Sequence, residues 1–157
     1  LTKVAKVEER LKELGIVLGA VPTPVGSYKP AVVSGSHIYV SGQLPIVEGR
    51  LAVSGRLGED LALEEGIGAA RIAAINTVAV LKKYISDLDR VRRIVKVTGY
   101  VASARGFHMQ AQVVNGASDL YYEVFGERGR HARAAVGVSE LPLGAPVEIE
   151  LIAEFAL

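Results

Sequence analysis

The segment LEEGIGAARIAAINTVAVLKKYI, residues 63–85, restricts the possible folds more than any other part of the chain. It is rich in alanine and apolar throughout. Glu64 and Glu65 stand at its start and Lys82 and Lys83 near its end, the order that a helix dipole favours, so the spacing predicts one long helix. Its GIGAAR run superficially resembles a dinucleotide fingerprint but falls inside the helix instead of between a strand and a helix, and close helix packing explains the glycines better. Before this helix, β-branched runs are broken by Pro22, Pro24, Gly26, Pro30 and the Ser34-Gly35 pair, which predicts several short strands with tight turns. After it come a strand in RRIVKVTGYVAS, a second helix in GASDLYYEVFG that stops at Gly126, and two terminal strands. At the start of the chain, Val4, Val7, Leu11 and Leu14 recur at helical spacing, with Thr2 placed to cap that helix and Gly15 to end it. The order predicts an α+β fold, with helices layered on one face of a mixed sheet.

The two terminal strands pose a problem of their own. Alternation puts Ala134, Val136 and Val138 on one side of the first strand, and Val147, Ile149, Leu151 and Ala153 on one side of the second. Arg133 and Glu148 then fall on the opposite faces, beside apolar neighbours such as Ile152 and Ala156. A face of that mixed character calls for a cover, and self-association is the simplest one. Were residues 139–146 a plain hairpin turn, Arg133 would face a position near Ile152, about 13 Å from Glu148 along the ladder, too far for an ion pair within one chain. A structural ion pair between subunits and a ligand pocket remain as alternative roles for the two residues.

Composition narrows the chemistry. A 157-residue chain, half of it apolar and 22% charged, is expected to form a single domain over residues 1–157, with residues 1–15 as a helical extension. The absence of cysteine removes disulfides and thiolate chemistry and suggests an intracellular, cytoplasmic location. His37, His108 and His131 lack metal-ligand spacing, so no metal is expected. No apolar stretch is long enough to predict a membrane span, and no leader is evident. A net charge of +1 gives no broad field for nucleic acid. The basic cluster ERGRHAR, residues 127–133, reads as a solvated loop, Asp60, Glu64 and Glu65 as structural, and Tyr121, Tyr122 and Phe125 as core.

Three separated motifs in order, GSYKPAVVSGSHIYVSGQLP (26–45), NGASDLYYEVFG (115–126) and HARAAVGVSELPLGAPVEIELIAEF (131–155), resemble those of the reactive intermediate deaminases, the Rid or YjgF family. The resemblance covers about residues 16–157. It implies a chorismate-mutase-like α+β fold and a homotrimer with pockets between subunits. By the same resemblance, Arg133 binds the carboxylate of a small 2-imino acid and Glu148 lies beside the attacking water. Tyr28, Ser41, Gly42 and Ala135 line the pocket, and no cofactor is needed. The implied reaction hydrolyses imines released by pyridoxal-phosphate enzymes to 2-keto acids and ammonia. The alternatives are a small-carboxylate binding or regulatory protein of the same fold and, behind it, an RNA-binding or RNA-cleaving protein. Where the family's short members carry an asparagine on the second helix, this chain has Ser118, with Asn115 one turn earlier, and either residue is a candidate for that contact. The added first helix and the GERGRHAR loop suggest a divergent branch.

Overall fold

The computed structural model describes residues 5–24 and 26–157. In chain order the elements are α1 (Lys6–Glu13), β1 (Ala31–Ser34), β2 (His37–Gln43), a small ribbon of β3 (Ile46–Val47) and β4 (Arg50–Leu51), α2 (Leu63–Ile85), β5 (Val91–Ala102), α3 (Gln110–Phe125), β6 (Ala132–Val138) and β7 (Val147–Phe155).

Helix α2 has the predicted bounds, and its small residues serve packing. Ala69, Ala70, Ala73 and Ala74 are fully buried. Where α3 crosses, a Cβ on Gly116 would overlap the Ile67 carbonyl oxygen and sit 3.2 Å from the Ala70 Cβ, so the two helices meet almost backbone to backbone. Gly66 lies against Leu57 and Val113, which accounts for the first glycine of GIGAAR. A buried hydrogen bond of 2.6 Å between Thr77 Oγ1 and the Tyr121 hydroxyl ties the same two helices together. Tyr121 and Phe125 are core, as expected, while Tyr122 is half exposed.

Helix α1 ends at Glu13, two residues before Gly15, which takes a positive φ of 69°. The expected cap at Thr2, and Val4, lie outside the described residues. Asp89, more than 80 residues away, accepts from the Lys6 and Val7 amides at 3.0 and 2.9 Å. A carboxylate at a helix N-terminus satisfies donors that the helix itself leaves open and suits its dipole. Val7 and Leu11 join the same hydrophobic core as the sheet and the longer helices.

The main sheet has the order β1-β2-β7-β5-β6, antiparallel except for the parallel β5–β6 pair. The two terminal strands are therefore not neighbours, and the plain hairpin considered for residues 139–146 does not form. Helix α3 is the crossover that parallel pairing requires, and it leaves β6 at the sheet edge. A 3-10 turn at Pro142–Gly144, with Leu143 and Gly144 at φ 63° and 76°, then takes the chain past the end of β5.

The register also corrects one of the two faces. On β7, Val147, Ile149, Leu151 and Ala153 are buried under the helices as expected. On β6 the parity is reversed. Arg133, Ala135 and Gly137 pair with Val97, Gly99 and Val101 of β5, whose side is the helix side, whereas Ala134 and Val136 share the open face with Thr98 and Tyr100. Arg133 is tolerated on the helix side because β6 is an edge strand, where the guanidinium reaches the rim of α3 and is not enclosed.

Candidate functional site

Two clusters of polar groups emerge, one on each face of the sheet. The first is built where β6 passes under α3. Arg133 Nη1 donates to Asn115 Oδ1 at 2.7 Å and to Ser118 Oγ at 3.1 Å, and Nη2 donates to the Ala111 carbonyl at 3.2 Å. Asn115 and Ser118 are one turn apart on the same face of the helix, so both of the candidate polar contacts meet the arginine. A guanidinium has five donors in a fixed plane. Nη1 and Nη2 are engaged here, while Nε has no partner among the described residues. A guanidinium edge of Nε and one Nη2 hydrogen is the fork that fits a carboxylate, and the free Nε belongs to it. Ser118, Asp119, Tyr122, Arg130, His131 and Arg133 line an open cleft of about 540 Å³ at this place. Ala135, two residues further along β6, packs against the core below the cleft.

His131 belongs to this cluster and was not singled out from the sequence as a site residue. Its Nε2 is 2.8 Å from Ser118 Oγ, and its Nδ1 is 2.7 Å from the Gly129 carbonyl oxygen. The ring stands edge-on to Tyr121, with centroids 5.7 Å apart. Burial, aided by the nearby Arg133 charge and opposed by the Gly129 carbonyl, holds the imidazole's proton affinity below its ordinary value. The signal available was period two, since His131 and Arg133 stand on the same side of an extended chain. The rest of the ERGRHAR run is anchored and not simply solvated. Arg128 Nη1 donates to the Val91 carbonyl at 2.8 Å, and the Arg130 guanidinium lies over the Tyr122 ring at 4.7 Å.

The second cluster lies on the open face. The β2–β7 register slips between Val40 and Gln43, so Ser41 and Gly42 together form a bulge. Ser41 is pinned there: its amide donates to the Pro30 carbonyl at 2.9 Å, and its hydroxyl to the Lys29 carbonyl at 2.6 Å. The Glu148 side chain fills the space that a side chain on Gly42 would need. Tyr28, half exposed in the turn before β1, lines a cleft with Gly42 and Gln43. Gly42 thus meets Glu148 on one side and shares a cleft with Tyr28.

Glu148 is half-buried and makes no hydrogen bond among the described residues. Burial, and then the charge of Glu150 two residues along the same face, raise its proton affinity above that of an ordinary glutamate. Glu150 is not simply solvated, because the Tyr100 hydroxyl donates to its Oε1 at 2.7 Å. That bond, with burial and the two carboxylate charges, pushes the Tyr100 hydroxyl up to about 12. Glu148 pairs with Tyr100 on β5, and Arg133 pairs with Val97, three residues away on the opposite side. Within one chain the arginine and the glutamate face away from each other, so they are not an ion pair of the protomer.

Comparison with known proteins places this architecture. The pattern of the YjgF/chorismate mutase-like endoribonuclease family matches residues 8–155, and the chain belongs to that family. It is 45% identical over 150 residues to Protein TCP17 of Trypanosoma cruzi, covering 95% of this chain and 94% of that one. The crystal structure of the protein Atu1372 from Agrobacterium tumefaciens superposes with a TM-score of 0.89 at 44% identity, over 97% of this chain and 93% of the other. A 2-iminobutanoate/2-iminopropanoate deaminase of Capra hircus is 35% identical, over 84% of this chain and 82% of its own length.

Proposed function

We propose that the protein hydrolyses small 2-imino acids to 2-keto acids and ammonia, in sites formed between the subunits of a homotrimer. The observation that carries this reading is the arginine on the edge strand, held by α3 through Nη1 and Nη2 with its Nε donor left free beside an open cleft. Sequence similarity to an imine deaminase supports the choice of substrate class.

The division of labour follows from the two clusters. Arg133 of one subunit, steadied by Asn115 and Ser118, takes the substrate carboxylate in two parallel hydrogen bonds and so fixes the plane of the conjugated imine. The open face of a neighbouring subunit presents Glu148, with Tyr28 and the Ser41-Gly42 bulge around it. Water adds to the imine carbon and gives up a proton, the nitrogen gains one, and the resulting carbinolamine releases ammonia to leave the ketone. A carboxyl of raised proton affinity suits a group that must accept and return a proton near neutral pH. Imines hydrolyse unaided in water, so orientation and one proton carrier are sufficient contributions from the protein.

The test is a coupled assay. An amino-acid oxidase generates 2-iminopropanoate or 2-iminobutanoate, and 2-keto acid formation is timed with and without the protein. Faster release of keto acid is expected. Tight binding of pyruvate or 2-ketobutyrate with no acceleration would instead support a carboxylate-binding regulator. Binding of RNA that weakens steeply with salt, with no effect on imines, would favour a nucleic-acid role.

A further inference from the structure

With the imidazole neutral, the hydrogen bonds around His131 have one consistent arrangement of protons. The Gly129 carbonyl oxygen can only accept, so the ring nitrogen 2.7 Å from it, Nδ1, carries the hydrogen. In the neutral ring Nε2 then bears a lone pair, and Ser118, 2.8 Å away, must donate its hydroxyl proton to it. This leaves the lone pairs of Ser118 Oγ for Arg133 Nη1 at 3.1 Å. The chain runs without conflict from guanidinium to hydroxyl to imidazole to backbone carbonyl, and every member has a defined direction.

The far end is rigid. A Cβ on Gly129 would overlap the Tyr121 carbonyl oxygen, so this part of the backbone is pressed against α3. The imidazole also stands edge-on to the Tyr121 ring, whose hydroxyl is bonded to Thr77 in the core. Without an acceptor at Nε2 the Ser118 hydroxyl is free to rotate, and in some rotamers its hydrogen points at the guanidinium, which cannot accept it.

We propose that His131 is a positioning residue that acts through Ser118 to fix the direction in which Arg133 presents its free Nε side to a ligand carboxylate. The inference rests on the carboxylate-binding reading of Arg133, yet it has a readout that needs no ligand. Two variants separate chemistry from shape. Phenylalanine keeps a flat ring beside Tyr121 but accepts nothing from Ser118, whereas the glutamine carbonyl reaches the place of Nε2 and does not titrate.

The experiment measures 2-ketobutyrate affinity by calorimetry, and order at the Arg133 Nε–H by 15N relaxation, in the wild type, His131→Phe, His131→Gln, Ser118→Ala and the Ser118→Ala/His131→Phe double variant. His131→Phe is expected to weaken binding about tenfold and to mobilise the Arg133 Nε–H, at a melting temperature close to that of the wild type. His131→Gln should restore both. The double variant should bind no worse than Ser118→Ala alone, because the histidine acts through the serine. Wild-type affinity and an ordered Arg133 in His131→Phe would overturn the proposal, as would losses that simply add. If the wild type binds no keto acid, the functional reading fails on its own, and Arg133 order across the five proteins still decides the role of His131.

Discussion

At Arg133, charge and shape make separable contributions. Arg133→Lys keeps the charge but cannot reproduce two parallel donors in one plane, so keto-acid affinity is expected to fall about ten- to a hundredfold while the fold persists. Titration calorimetry beside thermal melting checks this, and equal affinity in the two proteins would remove Arg133 from the pocket. Glu148 shows the opposite balance between stability and function. A carboxyl whose proton affinity is raised on folding stabilises the protein fully only while it is protonated, below the ordinary glutamate range. That contribution is lost as pH rises through the shifted value. Glu148→Gln is therefore expected to melt higher than the wild type at pH 7 to 8, with the difference shrinking as pH falls through the raised value and levelling off below about 4.3. Turnover should drop tenfold or more in the same variant, the scale of losing a proton-transfer group. A variant that melts lower at pH 8 would show that the charged carboxylate is structural.

At the scale of elements, the contact between α2 and α3 and the bulge in β2 predict different responses to the same added methyl. At Gly116 the obstacle is the Ile67 carbonyl, part of the opposing backbone, which cannot move without parting the helices. Gly116→Ala should cost about 1–3 kcal/mol, visible as a lower urea midpoint. At Gly42 the obstacle is the end of the Glu148 side chain, which can swing aside. Gly42→Ala should leave the urea midpoint near that of the wild type and reduce imine turnover by displacing the carboxylate. What was legible in the sequence follows the same division. The α2 boundaries, and the glycines that end α1 and α3, were readable because helical spacing and positive-φ positions are local signals, whereas α3 begins at Gln110, well before the GASDLYYEVFG run in which it was expected. The buried face of β7 was readable from the alternation of large aliphatic residues with glutamates. The β6 face was not, because Ala132, Ala134, Ala135 and Gly137 give little contrast between its sides. The insertion of β5 between the terminal strands depends on the crossover through α3, a long-range choice that no local pattern encodes. Arg133 with its helix partners could be named from motifs, but the tie between Glu150 and Tyr100 spans 50 residues and requires the strand register.

At the scale of the whole molecule, the open face of the sheet is unusually apolar for a surface in water. Val32, Tyr39 and Val136 are 55, 48 and 40% exposed on it, and in the register Val32, Tyr39, Ile152 and Lys96 form a continuous row across four strands. Such a face favours association, so light scattering at micromolar protein is expected to give three times the 16.6 kDa chain mass. Because Arg133 and Glu148 point to opposite sides of one sheet, a site that uses both must draw them from different subunits. The most direct test mixes Arg133→Lys and Glu148→Gln proteins, each impaired alone, under conditions that exchange subunits, and measures hydrolysis of 2-iminopropanoate. In randomly mixed trimers about one interface in four joins an intact arginine to an intact glutamate, so activity should recover to about a quarter of the wild-type value. A mixture no more active than its two components, with exchange verified by mass, would contradict a site shared between subunits.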